Sequence, residues 1–349
     1  MRIRLFSILL LAALLLPASA QKTGSEKDAG DKEEPQGPSI RVLVEEVNLQ
    51  LTVSDGGNHL VTALNKEDFQ ILEDKKPQSI TAFSRESDIP LRIGLLIDTS
   101  NSIRDRFEFE QHASAEFFRS LLRPGKDKAF LASFDSIPEL VMDFTDDLDK
   151  LIPAIESLRS GGGTSLYDAV YFGSRDKLLE EAPPSNNTRR AMVILSDGED
   201  NQSRHSRGQA LEMAERAEVT IYTISTNLRG IKLPGDKVLQ EFSDRTGGRY
   251  FQPLTKEELL TAFQQINADL RSQYSLSYRP TTPRDGRYHS IEVVALRKGL
   301  RVRTRRGYYA TRPPGLIPKE NAPASDKTGA LPHSVAPGTA RQPWSVNPS

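Results

Sequence analysis

The 349-residue sequence has no cysteine, one tryptophan and five histidines. Without cysteine there is no disulfide, no zinc–thiolate centre and no thiol nucleophile, so stability must rest on core burial and bound groups. The histidines (His59, His112, His205, His289 and His333) are too scattered for an H-E-x-x-H helix or any paired ligand set, and they read as surface residues. No G-x-S-x-G elbow is present, and the glycine run before Thr164 lacks the Gly-Lys ending of a phosphate-binding loop. These gaps argue against an enzyme, and no catalytic residue is assigned. Net charge is also nearly missing: 46 Lys and Arg stand against 47 Asp and Glu. So balanced a chain is not built for electrostatic capture of nucleic acid.

The one long apolar run, Leu5 to Leu16, is too short for the roughly 20 residues that span a bilayer. Arg2 and Arg4 precede it and Ala18-Ser19-Ala20 follows it, which predicts a secretory signal over residues 1–20 with cleavage before Gln21. Losing its two arginines takes the formal charge from −1 to −3. No cysteine follows to carry a lipid anchor, and no later segment is apolar enough to span. The expected location is secreted or periplasmic. Residues 21–38 and 312–349 are rich in Pro, Gly, Ser and charge, and read as a disordered leader and tail.

Between these ends two patterns alternate along the chain. Val47, Leu49, Leu51 and Val53 alternate with polar residues, as do the segments around Phe69–Ile71, Ile80–Phe83, Tyr274–Tyr278, Ile291–Ala295 and Leu300–Arg303. Neither group has enough strands to stand alone. Residues 39–88 and 273–311 are therefore expected to form one small β-sandwich. Residues 89–272 switch to apolar strands (Leu91–Ile97, Ala129–Phe134, Ala191–Leu195, Val219–Ile224) separated by helical periodicity, with Leu140–Phe144 as a hairpin partner and Arg249–Gln252 as a last short strand. That pattern predicts an α/β fold, a doubly wound, mostly parallel Rossmann-like sheet inserted in the sandwich.

Three segments inside this region carry chemistry. Leu95-Leu96-Ile97 runs into Asp98-Thr99-Ser100-Asn101-Ser102, Gly161-Gly162-Gly163 leads to Thr164, and Val193-Ile194-Leu195-Ser196 runs into Asp197-Gly198. Taken singly, the first reads equally as an Asx turn and helix cap and the last as a turn dipeptide. Together they place hydroxyls and two carboxylates at the strand ends where doubly wound sheets bind ligands. With the strand order 3-2-1-4-5-6, Asp98 and Asp197 meet at the switch point. Mg²⁺ is a hard cation that takes six oxygens and keeps its waters, which suits neutral hydroxyls from Ser100, Ser102 and Thr164 beside the two aspartates.

Asp-x-Ser-x-Ser, then Thr, then Asp is the order of a metal-ion-dependent adhesion site, and the chain here resembles the von Willebrand factor A domain. Leu64-Asn65-Lys66-Glu67-Asp68-Phe69, Thr164-Ser165-Leu166-Tyr167-Asp168-Ala169 and Arg305-Arg306-Gly307-Tyr308 extend the likeness to exported bacterial "VWFA-related domain" proteins, over roughly residues 40 to 311. The resemblance implies Mg²⁺ (or Mn²⁺) held by Asp98, Ser100, Ser102, Thr164 and Asp197, the aspartates acting largely through waters. It further implies an open coordination position filled by an Asp or Glu carboxylate of a partner protein. Asp168, Glu199 and Asp200 are candidate supporting residues behind the cradle. The expected function is thus an exported, adhesion-type protein-binding module. An envelope scaffold with a purely structural metal is the alternative, and a metal-dependent hydrolase a distant third, since no base has a spacing that argues for one.

Overall fold

The computed structural model describes residues 46–85, 89–101, 107–180, 188–282, 285–310 and 342–343. The expected signal segment, the leader, most of the tail and Ser102 lie outside the described residues. Among the described residues no helix is long and apolar enough to cross a membrane.

The chain opens with strands β1 (Val47–Ser54), β2 (Phe69–Glu73), β3 (Lys76–Gln78) and β4 (Ile80–Ser84). The α/β layer follows as β5 (Leu91–Asp98), α1 (Phe107–Leu121), β6 (Lys128–Phe134), β7 (Pro138–Thr145), α2 (Leu148–Glu156), α3 (Leu166–Phe172), β8 (Arg189–Ser196), α4 (Arg207–Arg216), β9 (Thr220–Ser225), α5 (Pro234–Thr246), β10 (Tyr250–Phe251) and α6 (Lys256–Arg271). Strands β11 (Tyr274–Tyr278), β12 (Tyr288–Ala295), β13 (Arg301–Arg303) and β14 (Gly307–Tyr309) then return. Gln342–Pro343 (β15), within the stretch read as a tail, lies antiparallel along β7.

The central sheet runs β10-β9-β8-β5-β6-β7-β15. Its parallel pairs are β10/β9, β9/β8, β8/β5 and β5/β6, with β7 antiparallel. Strand order therefore reverses between β5 and β8, as expected. Alternate residues of the buried strands feed two cores. Leu91, Ile93, Leu95 and Ile97 pack on one face against α1, α2 and α6, where Phe117 and Phe263 stack with centroids 4.7 Å apart. On the other face Leu96, Met192 and Ile194 pack against α3, α4 and α5. Gly94 has no side chain because the Phe130 ring fills the space a Cβ would take.

The flanking strands join across the insertion. One antiparallel sheet runs β13-β1-β11-β4 and the other β14-β12-β2-β3, so each mixes strands from before and after the α/β layer. Val47, Leu49, Leu51, Phe69, Ile71, Tyr274, Leu276, Ile291 and Val293 form one core between them. The apolar faces that neither strand group could bury alone are buried against each other. The periodicity did not show β3 or β14, each three residues long and placed at a sheet edge.

Candidate metal centre

Strands β5 and β8 run in register, Ile97 beside Leu195, so their last residues Asp98 and Ser196 arrive side by side and Asp197 follows immediately. Neighbouring strands stand about 4.8 Å apart, which brings the two carboxylate-bearing turns together. Asp98 is wholly buried. Its Oδ1 accepts the Ser100 backbone N–H at 2.9 Å and its Oδ2 accepts the Ser196 hydroxyl at 2.7 Å. Burial pushes its carboxyl up to about 6, bonds from Ser196 and Ser100 pull against this, and the Asp197 charge pushes further upward. Among the described residues no Lys, Arg or His forms an ion pair with Asp98 or Asp197. Asp197 is half-buried and its Oδ1 accepts the Glu199 N–H at 3.1 Å.

Thr164 comes in on its own loop, and that loop is tied to both aspartate turns. Thr164 N–H donates to Asn201 Oδ1 at 3.0 Å, while its carbonyl accepts from Asn201 N and Gln202 N, each at 3.0 Å. Gly161 N–H donates to the Thr99 carbonyl at 2.6 Å, and Asn101 Nδ2 donates to the Gly162 carbonyl at 3.3 Å. Thr164 and Ser100 are both buried, at 4 % and 3 % exposure, so these hydroxyls sit inside the cradle rather than on its rim. Next to Thr164, the buried Ser165 hydroxyl has no hydrogen-bond partner among the described residues.

The Asp197 turn is braced from behind. Gly198 has φ +80°, and a Cβ there would run into the backbone of Gly235 at the start of α5. A Cβ on Gly235 would in turn strike the Asp197 carbonyl. Asp236 fixes that helix start: its Oδ2 accepts Leu233 N–H at 2.7 Å and its Oδ1 accepts the Ser225 hydroxyl at 2.5 Å.

The three candidate supporting residues take distinct places. Asp168 Oδ1 accepts from His205 N at 2.9 Å and pairs with His205 Nδ1 at 2.7 Å, while its Oδ2 accepts from Arg204 N at 3.1 Å. Asp200 Oδ2 accepts from Tyr167 N at 3.0 Å and from the Ser203 hydroxyl at 2.5 Å, holding the first turn of α3. Glu199 is exposed. Asp168 and Asp200 thus position the loop after Asp197 against α3. Sequence reasoning gave no role to Ser196, which bonds Asp98 directly and whose Oγ also accepts Gly198 N–H at 3.0 Å. The parallel register of β5 and β8 was the signal that would have found it.

Residues 93–199 match the family model of the von Willebrand factor type A domain. Over those residues the chain is similar to the von Willebrand factor type A domain. Among solved structures, the chain is similar to a von Willebrand factor type A protein from Catenulispora acidiphila (12% identity, 67% of this chain and 70% of that one, TM-score 0.46). It is also similar to an aerotolerance-related membrane protein from Bacteroides fragilis (17% identity, 51% and 98%, TM-score 0.42). A third likeness is to proximal thread matrix protein 1 of the mussel byssus with a zinc-occupied adhesion motif (13% identity, 58% and 50%, TM-score 0.46). No curated protein matches the sequence.

Histidine requires one correction. His289 is not a surface residue: it is 7 % exposed, with Nδ1 2.8 Å from Asp74 Oδ2 and Nε2 3.2 Å from Asp285 Oδ1. Glu73 lies close enough to Asp74 and His289 for the three to group, but its carboxylate accepts hydroxyls of Tyr278 (2.5 Å), Tyr308 (3.3 Å) and Thr282. His205 is also partly covered, stacked on Tyr171 at 3.8 Å between ring centroids.

Proposed function

We propose that the A domain is an exported, divalent-metal-dependent protein-binding module, with no catalytic role. The observation that carries this reading is Asp98: a fully buried carboxylate beside Asp197, hydrogen-bonded to the Ser100 N–H and to the hydroxyls of Ser196 and Ser100, without a cationic partner among the described residues, and with burial raising its proton affinity. A carboxylate buried without a cation is costly. The donor set around it, two carboxylates and the hydroxyls of Ser100 and Thr164, fits Mg²⁺ or Mn²⁺; Ser102, the remaining expected ligand, lies outside the described residues. When bound, such an ion supplies an electrophilic position for an Asp or Glu side chain of a partner protein. The protein's own part is to hold these oxygens in place: Ser196 orients Asp98, the Asn201 side chain fixes Thr164, and Gly198 against Gly235 fixes the Asp197 turn.

Export rests on the Arg2-to-Ala20 pattern of the sequence. The test is capture of envelope proteins on the immobilised chain with Mg²⁺ or with chelator, beside thermal melts in both conditions. Capture lost under chelator with the melt intact is the expected result. Unfolding under chelator points to the scaffold reading, and capture indifferent to the metal overturns the proposal.

A further inference from the structure

A cleft of about 490 Å³ lies at the other end of the parallel sheet, beneath the starts of β8 and β9. It is about 25 Å from the aspartate turns, judged from the eight-residue length of β8 at about 3.3 Å per residue. Its opposite wall is the polar face of the sheet formed by β1 and β11. Leu49, Leu51, Tyr274 and Leu276 point into the sandwich core, so by the period of two the residues between them turn outward. Asn48 stands opposite Ser277 and Gln50 opposite Ser275, and all four line the cleft.

Three guanidinium groups converge on this cleft. Arg189 and Arg190 open β8, Arg305 comes from the link before β14, and they are 4 %, 6 % and 9 % exposed. Against them stands Glu218, whose two oxygens are both taken: Oε2 by Arg190 Nη2 at 2.9 Å and Oε1 by Arg305 Nη1 at 3.0 Å. The other lining carboxylate, Glu215, is paired with Arg245 at 2.7 Å. Arg305 also donates to the Asn48 carbonyl at 2.8 Å, yet its buried Nε–H has no acceptor among the described residues. Burial holds Arg190 below the usual arginine range, and the Arg305 charge pushes in the same direction. Glu218 itself has φ +52°, a backbone conformation that a glutamate keeps only when its surroundings hold it there.

Arg189 donates to the Leu270 carbonyl and reaches Gln50 Oε1 at 3.5 Å. Among the described residues the lining thus carries more guanidinium than carboxylate charge, withdrawn from water and set among hydroxyl and amide groups, the environment that recognises phosphate and carboxylate oxygens through guanidinium forks. The volume falls within the range of small-molecule sites. We propose that this cleft binds a small, multiply charged oxyanion, its charge neutralised by Arg189, Arg190 and Arg305 and its oxygens hydrogen-bonded by the polar face of β1 and β11. The site is independent of the metal cradle. Because its walls come from both the A domain and the sandwich strands, ligand binding also fastens the two together.

The probes are inorganic phosphate and tricarballylate, titrated calorimetrically into the full chain at constant ionic strength with chloride as the balancing ion. One saturable site, with a melting temperature that rises with ligand, is expected for at least one of them. Which one binds distinguishes a phosphate site from a carboxylate site. Ser275→Asp adds a carboxylate to the cleft while leaving the arginine pairs alone, and should weaken binding at least tenfold. Arg305→Gln should do the same, whereas Glu218→Gln should tighten binding several-fold by removing the internal competitor. Asp98→Ala should leave the affinity unchanged. If neither anion binds saturably at millimolar concentration, or if Ser275→Asp binds as the parent does, the proposal is overturned. The Ser275→Asp arm decides the matter even if loss of Arg305 prevents folding.

Discussion

Strand β5 has a buried aspartate at each end, and the two differ in every respect except burial. At its start Asp127 accepts the Leu91 N–H at 2.9 Å and is enclosed by Arg123 (Nε 2.8 Å) and Arg271 (Nη2 2.6 Å). Burial pushes its carboxyl up, but the hydrogen bonds and charges of the two arginines outweigh that and hold it below the usual range. At the other end Asp98 is equally buried and has no arginine partner among the described residues, and its carboxyl moves the opposite way. Asp127 is complete as it stands, and it ties the end of α6 and the residues just after α1 to the start of β5. Among the described residues no cation balances the negative charge of Asp98, which is what a cation-binding residue requires and a structural residue avoids.

Mutation should separate the two. Asp127→Ala leaves two arginines facing a vacated site and removes the acceptor for Leu91 N–H, so it should cost about 3–5 kcal/mol in denaturant unfolding. The metal affinity of the molecules that remain folded should be untouched. A loss below about 1 kcal/mol would show that the contrast between the two ends has been overdrawn.

Asp98→Ala should show the reverse. In metal-free protein it removes a desolvated charge, so the melt should match or exceed that of the parent. Mg²⁺ affinity should fall at least 100-fold, equivalent to about 2.7 kcal/mol. Calorimetric titration beside the melts reads both, and parent-like Mg²⁺ binding would return Asp98-x-Ser100-x-Ser102 to a turn and helix cap.

The two aspartates also predict opposite pH trends for the metal-free protein. Asp127 has a lowered folded value, so its stabilisation is present above the unfolded value near 4 and is lost as the pH falls. Asp98 is raised to about 6, so between about pH 4 and 6 the native state binds the extra proton and stability declines as the pH rises. Asp98→Asn should abolish that decline while leaving the acid loss in place. In the parent, protons compete with the metal, and affinity should drop up to about tenfold per unit below about pH 6. A flat affinity between pH 5 and 7 contradicts the raised value.

Much of this was legible in the sequence because the signals were long or chemically specific. The apolar strands Leu91–Ile97 and Ala191–Leu195, the helix faces Phe117–Leu121 and Leu259–Leu270, and the aspartates at the end of β5 and just after β8 all follow from periodicity or residue type. Joining the flanking strands followed from the exposed apolar face each group would otherwise leave. What could not be read was contact between distant segments. Nothing in the sequence singles out Asp127, since Arg271, 144 positions away, becomes its partner only once α6 has packed. His289 looked exposed because Asp74 and Asp285, which enclose it, meet only across the β2/β12 pairing. The arginine cleft was invisible for the same reason: Arg189 and Arg305 are 116 residues apart by their numbering.

The smallest expected effect concerns Ser196, which tests whether the Asp98 end is held for metal by its surroundings as well as by its charge. Its hydroxyl donates to Asp98 at 2.7 Å and accepts Gly198 N–H at 3.0 Å, so it couples the two aspartate turns through one oxygen. In Ser196→Ala the carboxylate loses a bond that favours its ionised form and gains freedom to rotate, while Gly198 N–H loses its acceptor. Residues that orient metal ligands typically account for 10–100-fold in affinity. Because Asp98 retains the Ser100 N–H, the lower figure of about tenfold is expected. The pH midpoint for metal binding should also move upward, since a pull on the Asp98 carboxyl has been removed. A purely structural serine would lower the melt and leave that midpoint where it was, so the midpoint is the measurement that decides. An unchanged midpoint with unchanged Mg²⁺ affinity would make Ser196 a strand residue that happens to lie beside the site.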